Sequence, residues 1–339
     1  MGLTAEAPRD SAPAETPADR LSRLLSDDMD RVEALIDERM QSPVGMIPDV
    51  ADHLVGAGGK RLRPMIACAA ARLLGYRGDG HLKLAAAVEF IHTATLLHDD
   101  VVDQSGLRRG KESANTIWGN SASVLVGDFL FARSFNLMVE AGSIEALNVL
   151  ADAASVIAEG EVKQLAAIGD VELSAEAYLD IIASKTAELF AAAAESPSVL
   201  AGTPHKRRQA MRQYGQSLGL AFQLVDDALD YAGATLAMGK SVGDDFREGK
   251  ITMPVAVAYA RGDAEERAFW ARTLTDLEQT DGDFERALEI VARHNGVEKT
   301  LDAARHHADK AAGSLEVFEE SPLRTAMMDL PDFVVSRVY

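Results

Sequence analysis

Cysteine and basic charge are scarce in this 339-residue chain, and each shortage excludes a class of protein. Cys68 is the only cysteine, which excludes an intrachain disulfide and a zinc site built from several cysteines. Lys and Arg number 34 against 53 Asp and Glu, giving a formal net charge of −19. That balance argues against non-specific nucleic-acid binding and against a polybasic membrane patch. An anionic ligand would therefore need a local basic pocket.

Targeting segments and long apolar runs are also missing. Hydrophobic residues make up 47% of the chain, enough for a large core, yet we find no run long and clean enough to cross a bilayer. The N-terminus lacks the charged stretch and apolar core of a secretory signal. We therefore expect a cytoplasmic protein.

Proline is absent between Pro64 and Pro197, and this stretch is rich in Ala and Leu. Ala is the strongest helix former and Pro the strongest breaker. Apolar residues recur there at helical spacing, as at Leu84, Val88 and Ile91. The pattern predicts long helices joined by short loops, and alternating strand patterns are rare.

The chain is expected to form one domain. Residues 1–18 are rich in Pro, Ala, Thr and acidic residues, which predicts a disordered tail. No flexible linker divides residues 19–339, so these form a single all-α domain, a helical bundle around a central cavity. Breaks between helices are expected at Gly and Pro clusters, including Ser196-Pro197.

Two acidic motifs lie within this apolar helical background. They are Asp99-Asp100-Val-Val-Asp103 and Asp226-Asp227-Ala-Leu-Asp230. Residues four apart share a helix face, so the first and last aspartates of each motif point the same way. Such carboxylates repel one another on a buried face unless cations or protons lie between them. The motifs predict hard divalent metal ions with oxygen ligands and a phosphate-type substrate.

Basic segments accompany the motifs. Arg108 and Arg109 follow the first motif and suit bidentate binding of diphosphate oxygens, with a surface salt bridge as the alternative. Lys240 and Lys250 lie in a Gly-rich stretch that lacks P-loop spacing. The segment Lys60-Arg61-Leu62-Arg63 precedes Pro64 at a predicted helix N-terminus, which itself favours anions.

Two further positions are ambiguous from the residues alone. His92 lies about two turns before Asp99, and Glu89-x-x-His92 has the spacing of a di-iron ligand pair. No second Glu-x-x-His pair occurs, so that site is rejected. Lys185-Thr186 lies within an Ala-rich helix, where the lysine is either exposed or a phosphate contact.

Together these motifs resemble the trans-type polyprenyl diphosphate synthases, which are head-to-tail prenyltransferases. The resemblance extends from about residue 21 to the C-terminus, with the motifs in the family's order. Segments Glu89–Asp103 and Ser123–Phe129 look most like the octaprenyl and decaprenyl branch, whose products form the side chain of ubiquinone.

The resemblance implies the all-α isoprenoid synthase fold, a homodimer, and transient membrane contact during product release. It implies about three magnesium ions held by Asp99, Asp103 and Asp226. Isopentenyl diphosphate would be bound by Lys60, Arg63, His92 and Arg109. The allylic diphosphate would be bound by Arg108, Lys185 and Lys240, assisted by Lys250. Oxygen dipoles near the developing carbocation would come from Thr186 and Gln223.

Product length is expected to depend on the helix before the first motif. Ala94 and Thr95 lie five and four residues before Asp99, where short-chain members of the family tend to carry a bulky aromatic residue. At about 1.5 Å per residue, Ala94 lies roughly 7 Å from Asp99 along the axis. Small side chains there predict a deep tunnel and a long product, unless Ala94 only packs against a neighbouring helix.

Three other functions remain as alternatives. A class I terpene cyclase would normally replace the second aspartate motif and lack a second diphosphate site. A shorter-chain farnesyl or geranylgeranyl diphosphate synthase is disfavoured by Ala94. A non-catalytic acidic metal-binding scaffold would not need cations in three separate segments.

Overall fold

The computed structural model describes residues 15–55, 61–108, 110–232 and 243–336. Lys60, Arg109 and Lys240 lie outside these residues. Helices in the described part are α1 (Pro17–Leu24), α2 (Ser26–Met40), α3 (Met46–Val55), α4 (Leu62–Leu73), α5 (Gly80–Val102), α6 (Ala114–Trp118), α7 (Asn120–Glu140), α8 (Ile144–Ala167), α9 (Ala175–Ile182), α10 (Glu188–Leu200), α11 (His205–Tyr231), α12 (Asp244–Arg247), α13 (Met253–Arg261), α14 (Ala264–Trp270), α15 (Asp283–Arg293), α16 (Gly296–Ser314) and α17 (Pro322–Val335). Shorter segments are the antiparallel pair β1 (Leu107–Arg108) and β2 (Lys111–Glu112), π-helical turns at Ala183–Ala187 and Ala271–Thr275, and a 3₁₀ turn at Leu315–Val317.

The all-α prediction is confirmed. Helix α5 packs against α4 and α7, and α11 packs against α10 and α16. The two acidic motifs occupy the C-terminal ends of α5 and α11, which are two of the long core helices. A helix C-terminus carries partial negative charge, so carboxylates there are unfavourable unless cations or donors face them. The helix ends are thus where such partners are required.

Two glycines allow the helices around these ends to approach closely. A Cβ at Gly160 of α8 would lie 2.7 Å from the Lys185 backbone nitrogen. A Cβ at Gly219 of α11 would lie 2.6 Å from the Cα of Ala187. Both contacts fall on the π-helical turn Ala183–Ala187, which is therefore clamped between α8 and α11.

The boundary expected for the N-terminal tail was two residues too late. Helix α1 begins at Pro17, and Thr16 accepts a hydrogen bond from the Asp19 backbone in a reciprocal capping box. Ala18 is buried and α1 packs against α17. The cap and this burial outweigh the Pro-rich composition.

The helix break expected at Ser196-Pro197 was also wrong. Both residues are buried inside α10, which continues to Leu200. Proline removes one backbone donor from a helix, and its ring crowds the carbonyl four residues earlier, so it usually kinks or ends the helix. Packing of this buried stretch therefore outweighs the local preference.

Helix α7 corrects the expectation that no segment could span a membrane. Within Asn120–Glu140, an 18-residue window has a mean hydropathy of 1.4, and 44% of that window is buried. Only the length and composition of this helix suit a membrane span, and core helices of soluble proteins can have the same length and composition. The helix packs along α5.

Cys68 lies in a buried cluster with Asp28 and His81, and the more exposed Arg72 pairs with Asp28. The Arg72 guanidinium donates to both carboxylate oxygens of Asp28, with Nε at 2.6 Å from Oδ2. Burial raises the pKa of the Cys68 thiol, which disfavours the thiolate that a metal would need. The cluster is therefore an ion-pair junction joining α2, α4 and α5.

Candidate active site

The outer aspartates of the first motif face lysines from other parts of the chain. Lys185 Nζ lies 3.7 Å from Asp99 Oδ2, and Lys250 Nζ donates to Asp103 Oδ2 at 2.7 Å. Burial raises the pKa of Asp99; Lys185 opposes this rise and Asp103 reinforces it. Burial would lower the pKa of Lys250, but Asp103 and Glu248 outweigh it and raise that pKa. These hard oxygen donors fit a magnesium ion, and the lysines fit phosphate oxygens.

The middle aspartate of the first motif has a different partner. Asp100 is fully buried, and Arg108 Nε donates to its Oδ1 at 2.7 Å. Arg108 is nevertheless close enough to oppose the rise in the pKa of Asp99. If Arg108 contacts the allylic diphosphate as predicted, it does so while its guanidinium is paired with Asp100 of the motif.

Lys185 and Thr186 lie on the π-helical turn, a feature often found at functional sites. Lys185 Nζ donates to Glu161 Oε2 at 2.7 Å and to Gln164 Oε1 at 2.6 Å. Burial and the nearby Asp99 raise the pKa of Glu161. Glu161 and Gln164 were missed from the sequence because polar residues on an Ala-rich helix are usually exposed to solvent. Their i, i+3 spacing was the available signal.

The middle aspartate of the second motif accepts hydrogen bonds from neutral donors. Tyr178 donates to Asp227 Oδ2, and Gln223 Nε2 donates to Asp227 Oδ1 at 2.9 Å. Burial raises the pKa of Asp227 to about 7, although both donors oppose the rise. Tyr178 was not singled out from the sequence, and nothing in its local pattern marks it.

The last aspartate of the second motif caps the start of a loop-borne helix. Asp230 accepts backbone N–H groups from Gly243 at 2.9 Å, Asp245 at 3.1 Å and Asp244 at 3.3 Å. Burial raises the pKa of Asp230, and these N–H groups oppose the rise. Asp226 is only partly buried, and its role as a metal ligand stays a prediction.

Gln223 and Thr186 meet at the cavity between the two motifs. Thr186 Oγ1 donates to Gln223 Oε1 at 3.0 Å, which fixes the orientation of the amide. The cavity has a volume of about 130 Å³ and is lined by Gln164, Tyr178, Ile182, Lys185, Thr186, Gln223, Asp227, Asp245, Lys250 and Thr252. Because Lys250 also binds Asp103, this cavity connects the two acidic helix ends.

A separate pair of basic side chains forms at the start of α4. Arg63 Nη1 lies 3.2 Å from His92 Nε2, and the Arg63 guanidinium carbon lies 4.1 Å from the centre of the Phe190 ring. The structure thus brings together two of the four residues expected to bind isopentenyl diphosphate. The other two, Lys60 and Arg109, lie outside the described residues.

The expected chain-length positions fall on two faces of α5. Thr95 is partly exposed on the face shared with Asp99, and its hydroxyl donates to the His92 carbonyl at 2.8 Å. Ala94 is only 1% exposed and lies in the hydrophobic core. Thr95 therefore lies nearer the ligand-facing surface, whereas Ala94 can act on a tunnel only from the buried side of the helix.

Known proteins resemble this chain over nearly its whole length. Octaprenyl diphosphate synthase of Escherichia coli is 45% identical over 321 residues, covering 94% of this chain and 98% of the relative. The structure of a polyprenyl synthase from Caulobacter crescentus, complexed with calcium and isoprenyl diphosphate, is 55% identical, with a TM-score of 0.92 and coverage of 97% and 100%. A decaprenyl diphosphate synthase from Rhodobacter capsulatus is 52% identical, with a TM-score of 0.92 and coverage of 95% and 100%.

These likenesses confirm the predicted enzyme class, a prenyltransferase, and the isoprenoid synthase fold. The sequence profile of the polyprenyl synthetase family matches residues 44–291, which include both acidic motifs and the helices that carry them. The chain belongs to the polyprenyl synthetase family.

Proposed function

We propose that this protein is a long-chain all-trans polyprenyl diphosphate synthase. It adds isopentenyl diphosphate units head-to-tail to an allylic diphosphate, giving an octaprenyl or decaprenyl product for the side chain of ubiquinone. The observation that carries the proposal is the cavity lined by Lys185, Thr186, Gln223 and Lys250 beside Asp227 of the second motif. Its two lysines also contact Asp99 and Asp103 of the first motif. The names of the relatives from Escherichia coli and Rhodobacter capsulatus support the product class.

Magnesium would be held by Asp99, Asp103 and Asp226, whose carboxylates supply hard oxygen donors. When bound, magnesium supplies positive charge that stabilises the departing diphosphate. The Caulobacter crescentus relative was crystallised with calcium and isoprenyl diphosphate, a combination of divalent cation and diphosphate that supports this assignment. Lys185 and Lys250 lie beside Asp99 and Asp103, so they can bind diphosphate oxygens at the same place.

The neutral oxygens of the cavity would face the allylic cation. Thr186 donates its hydroxyl hydrogen to Gln223, so lone pairs of the Thr186 oxygen remain directed elsewhere. The Gln223 carbonyl oxygen is oriented by the same bond. These dipoles stabilise positive charge without a nucleophilic water, and the isopentenyl double bond then attacks. The departing diphosphate accepts the proton lost after condensation.

We propose in addition that the enzyme is a cytoplasmic homodimer formed through α7 and α8. Leu125 and Val139 of α7 are 67% and 63% exposed, and Ile144 and Val162 of α8 are 82% and 66% exposed. Exposed apolar side chains at helical spacing on adjacent helices are typical of an interface between subunits. Light scattering should give twice the chain mass of 36.3 kDa, and Leu125→Asp should lower it. A monomeric wild type would contradict the dimer.

The experiment that tests the function measures product length. Purified protein is incubated with magnesium, an allylic diphosphate and labelled isopentenyl diphosphate, and the dephosphorylated products are separated by chromatography. A long-chain synthase consumes isopentenyl diphosphate and yields octaprenyl or decaprenyl alcohol. Products of farnesyl or geranylgeranyl length would indicate the shorter-chain alternative, and no consumption would indicate a cyclase or scaffold.

One substitution tests the origin of product length. Ala94→Phe introduces a ring about 7 Å from Asp99 along α5, on its buried side. We expect products of farnesyl or geranylgeranyl length in the same chromatographic assay. An unchanged long product from a folded variant would show that Ala94 is only a packing residue, and Thr95→Phe would then test the other face.

A further inference from the structure

Arg61 has an unusual backbone conformation. It precedes α4 with φ +45° and ψ +41°, in the left-handed region of backbone conformation that residues other than Gly rarely adopt. It makes no side-chain cap hydrogen bond to α4. A strained conformation persists when surrounding contacts determine it, and such residues are frequent at functional sites.

Two ion pairs are among those contacts. Arg61 Nη1 donates to Glu89 Oε1 at 2.7 Å, and Arg61 Nε donates to Glu33 Oε1 at 2.9 Å. The side chains of Arg61 and Glu89 are only 14% and 7% exposed, whereas that of Glu33 is 41% exposed. The pair with Glu89 is therefore the shielded one, and removing either partner would leave a largely buried charge.

The ion pair joins the two segments that carry a predicted diphosphate-binding pair. Glu89 lies three residues before His92 on α5, and Arg61 lies two residues before Arg63. Arg63 Nη1 and His92 Nε2 are 3.2 Å apart. A neutral His92 imidazole can accept a hydrogen bond from the Arg63 guanidinium through Nε2, and this contact depends on support that holds the start of α4 beside α5. The bond from Arg61 to Glu89 supplies it one helical turn away.

We propose that Arg61 is a positioning residue for the binding of isopentenyl diphosphate. Its ion pair with Glu89 holds Arg63 against His92 so that both can donate to one diphosphate, and Arg61 itself does not contact the substrate. This inference rests on the proposed function, in which Arg63 and His92 bind that diphosphate.

The test separates binding from chemistry with Arg61→Gly and Glu89→Gln. Glycine accepts the left-handed backbone, so Arg61→Gly removes the ion pair without adding strain. We expect KM for isopentenyl diphosphate to rise about tenfold in each variant, with kcat and the KM for the allylic substrate within about twofold of wild type. Both variants remove the pair of Arg61 with Glu89, and Arg61→Gly also removes the exposed pair with Glu33, so the double variant should match Arg61→Gly.

The control is Arg31→Gln on α2, which removes an exposed ion pair with Asp79. This change should leave both KM values unchanged. Unchanged KM for isopentenyl diphosphate in Arg61→Gly would overturn the inference. Equal losses for both substrates, or failure of both variants to fold by circular dichroism, would also overturn it by indicating a general structural role. If wild type itself consumes no isopentenyl diphosphate, the proposed function fails instead.

Discussion

The two acidic motifs have the same spacing of aspartates but opposite kinds of partners. In the first motif every aspartate has a cationic partner: Lys185, Arg108 or Lys250. In the second, the middle and last aspartates accept hydrogen bonds from neutral donors, namely Tyr178, Gln223 and the backbone at residues 243–245. The cations around the first motif suit an ionic ligand, whereas the neutral donors hold Asp227 and Asp230 of the second motif in place.

This difference follows from what each helix end faces. The end of α5 faces long lysine side chains, which can move with a metal–diphosphate complex and still neutralise it. The end of α11 faces a tyrosine, an amide and a turn, whose hydrogen bonds depend on precise geometry. A repeated motif therefore does not imply a repeated function at each position.

The largest expected effect comes from Asp99→Ala. The variant loses a carboxylate at the point where Lys185 and the proposed magnesium ions meet, and we expect turnover to fall by at least about a thousandfold. Burial raises the pKa of Asp99, so the fold disfavours its charged form, and we expect the variant to stay folded. Incorporation of labelled isopentenyl diphosphate and thermal unfolding, each with and without magnesium, measure the two effects.

Two results would contradict this assignment. Normal turnover by Asp99→Ala would show that the carboxylate binds no essential ion. Turnover by wild type in excess EDTA would remove magnesium from the proposal altogether. Either result would also end the contrast between the motifs, since the first motif would no longer be the one that binds magnesium and diphosphate.

A smaller effect is expected from Tyr178→Phe. This change removes the hydroxyl that donates to Asp227 and loosens the chain of bonds from Asp227 through Gln223 to Thr186. We expect kcat to fall about tenfold with little change in KM, because the dipoles act on the developing cation and not on bound substrate. Steady-state kinetics at saturating magnesium measure both constants.

Tyr231→Phe is the matched control for that prediction. Tyr231 is also buried near the second motif, but its hydroxyl has no hydrogen-bond partner among the described residues. Its removal should leave kcat within about twofold of wild type. Equal losses in the two variants would show that the effect comes from packing around the motif and not from the bond to Asp227.

The sequence was sufficient for the fold and for the residue types of the site, but not for the partners of each aspartate. The helices follow from composition and periodicity, and both aspartate motifs can be recognised in the sequence. The ion pair of Asp100 with Arg108 and the contacts of Lys185 with Glu161 depend on tertiary packing, which spacing along one helix does not determine. The π-helical turn at residues 183–187 likewise has no local signal, since its close neighbour Gly160 lies on another helix.

The smallest effect is expected from Asp230→Asn. This variant tests whether the last aspartate of the second motif differs in function from the aspartates of the first motif. The N–H groups of Gly243 and Asp245 bind different carboxylate oxygens of Asp230. The amide keeps only one acceptor oxygen and replaces the other with an NH2 donor, so one of these bonds is lost and the other loses the help of the charge. We expect stability to fall by about 1 kcal/mol and kcat/KM for the allylic substrate to fall about threefold. Asp244→Asn, which alters an exposed neighbour paired with Arg247, is the control. If Asp230→Asn abolished turnover as Asp99→Ala does, Asp230 would be a metal ligand, and the two motifs would be equivalent after all.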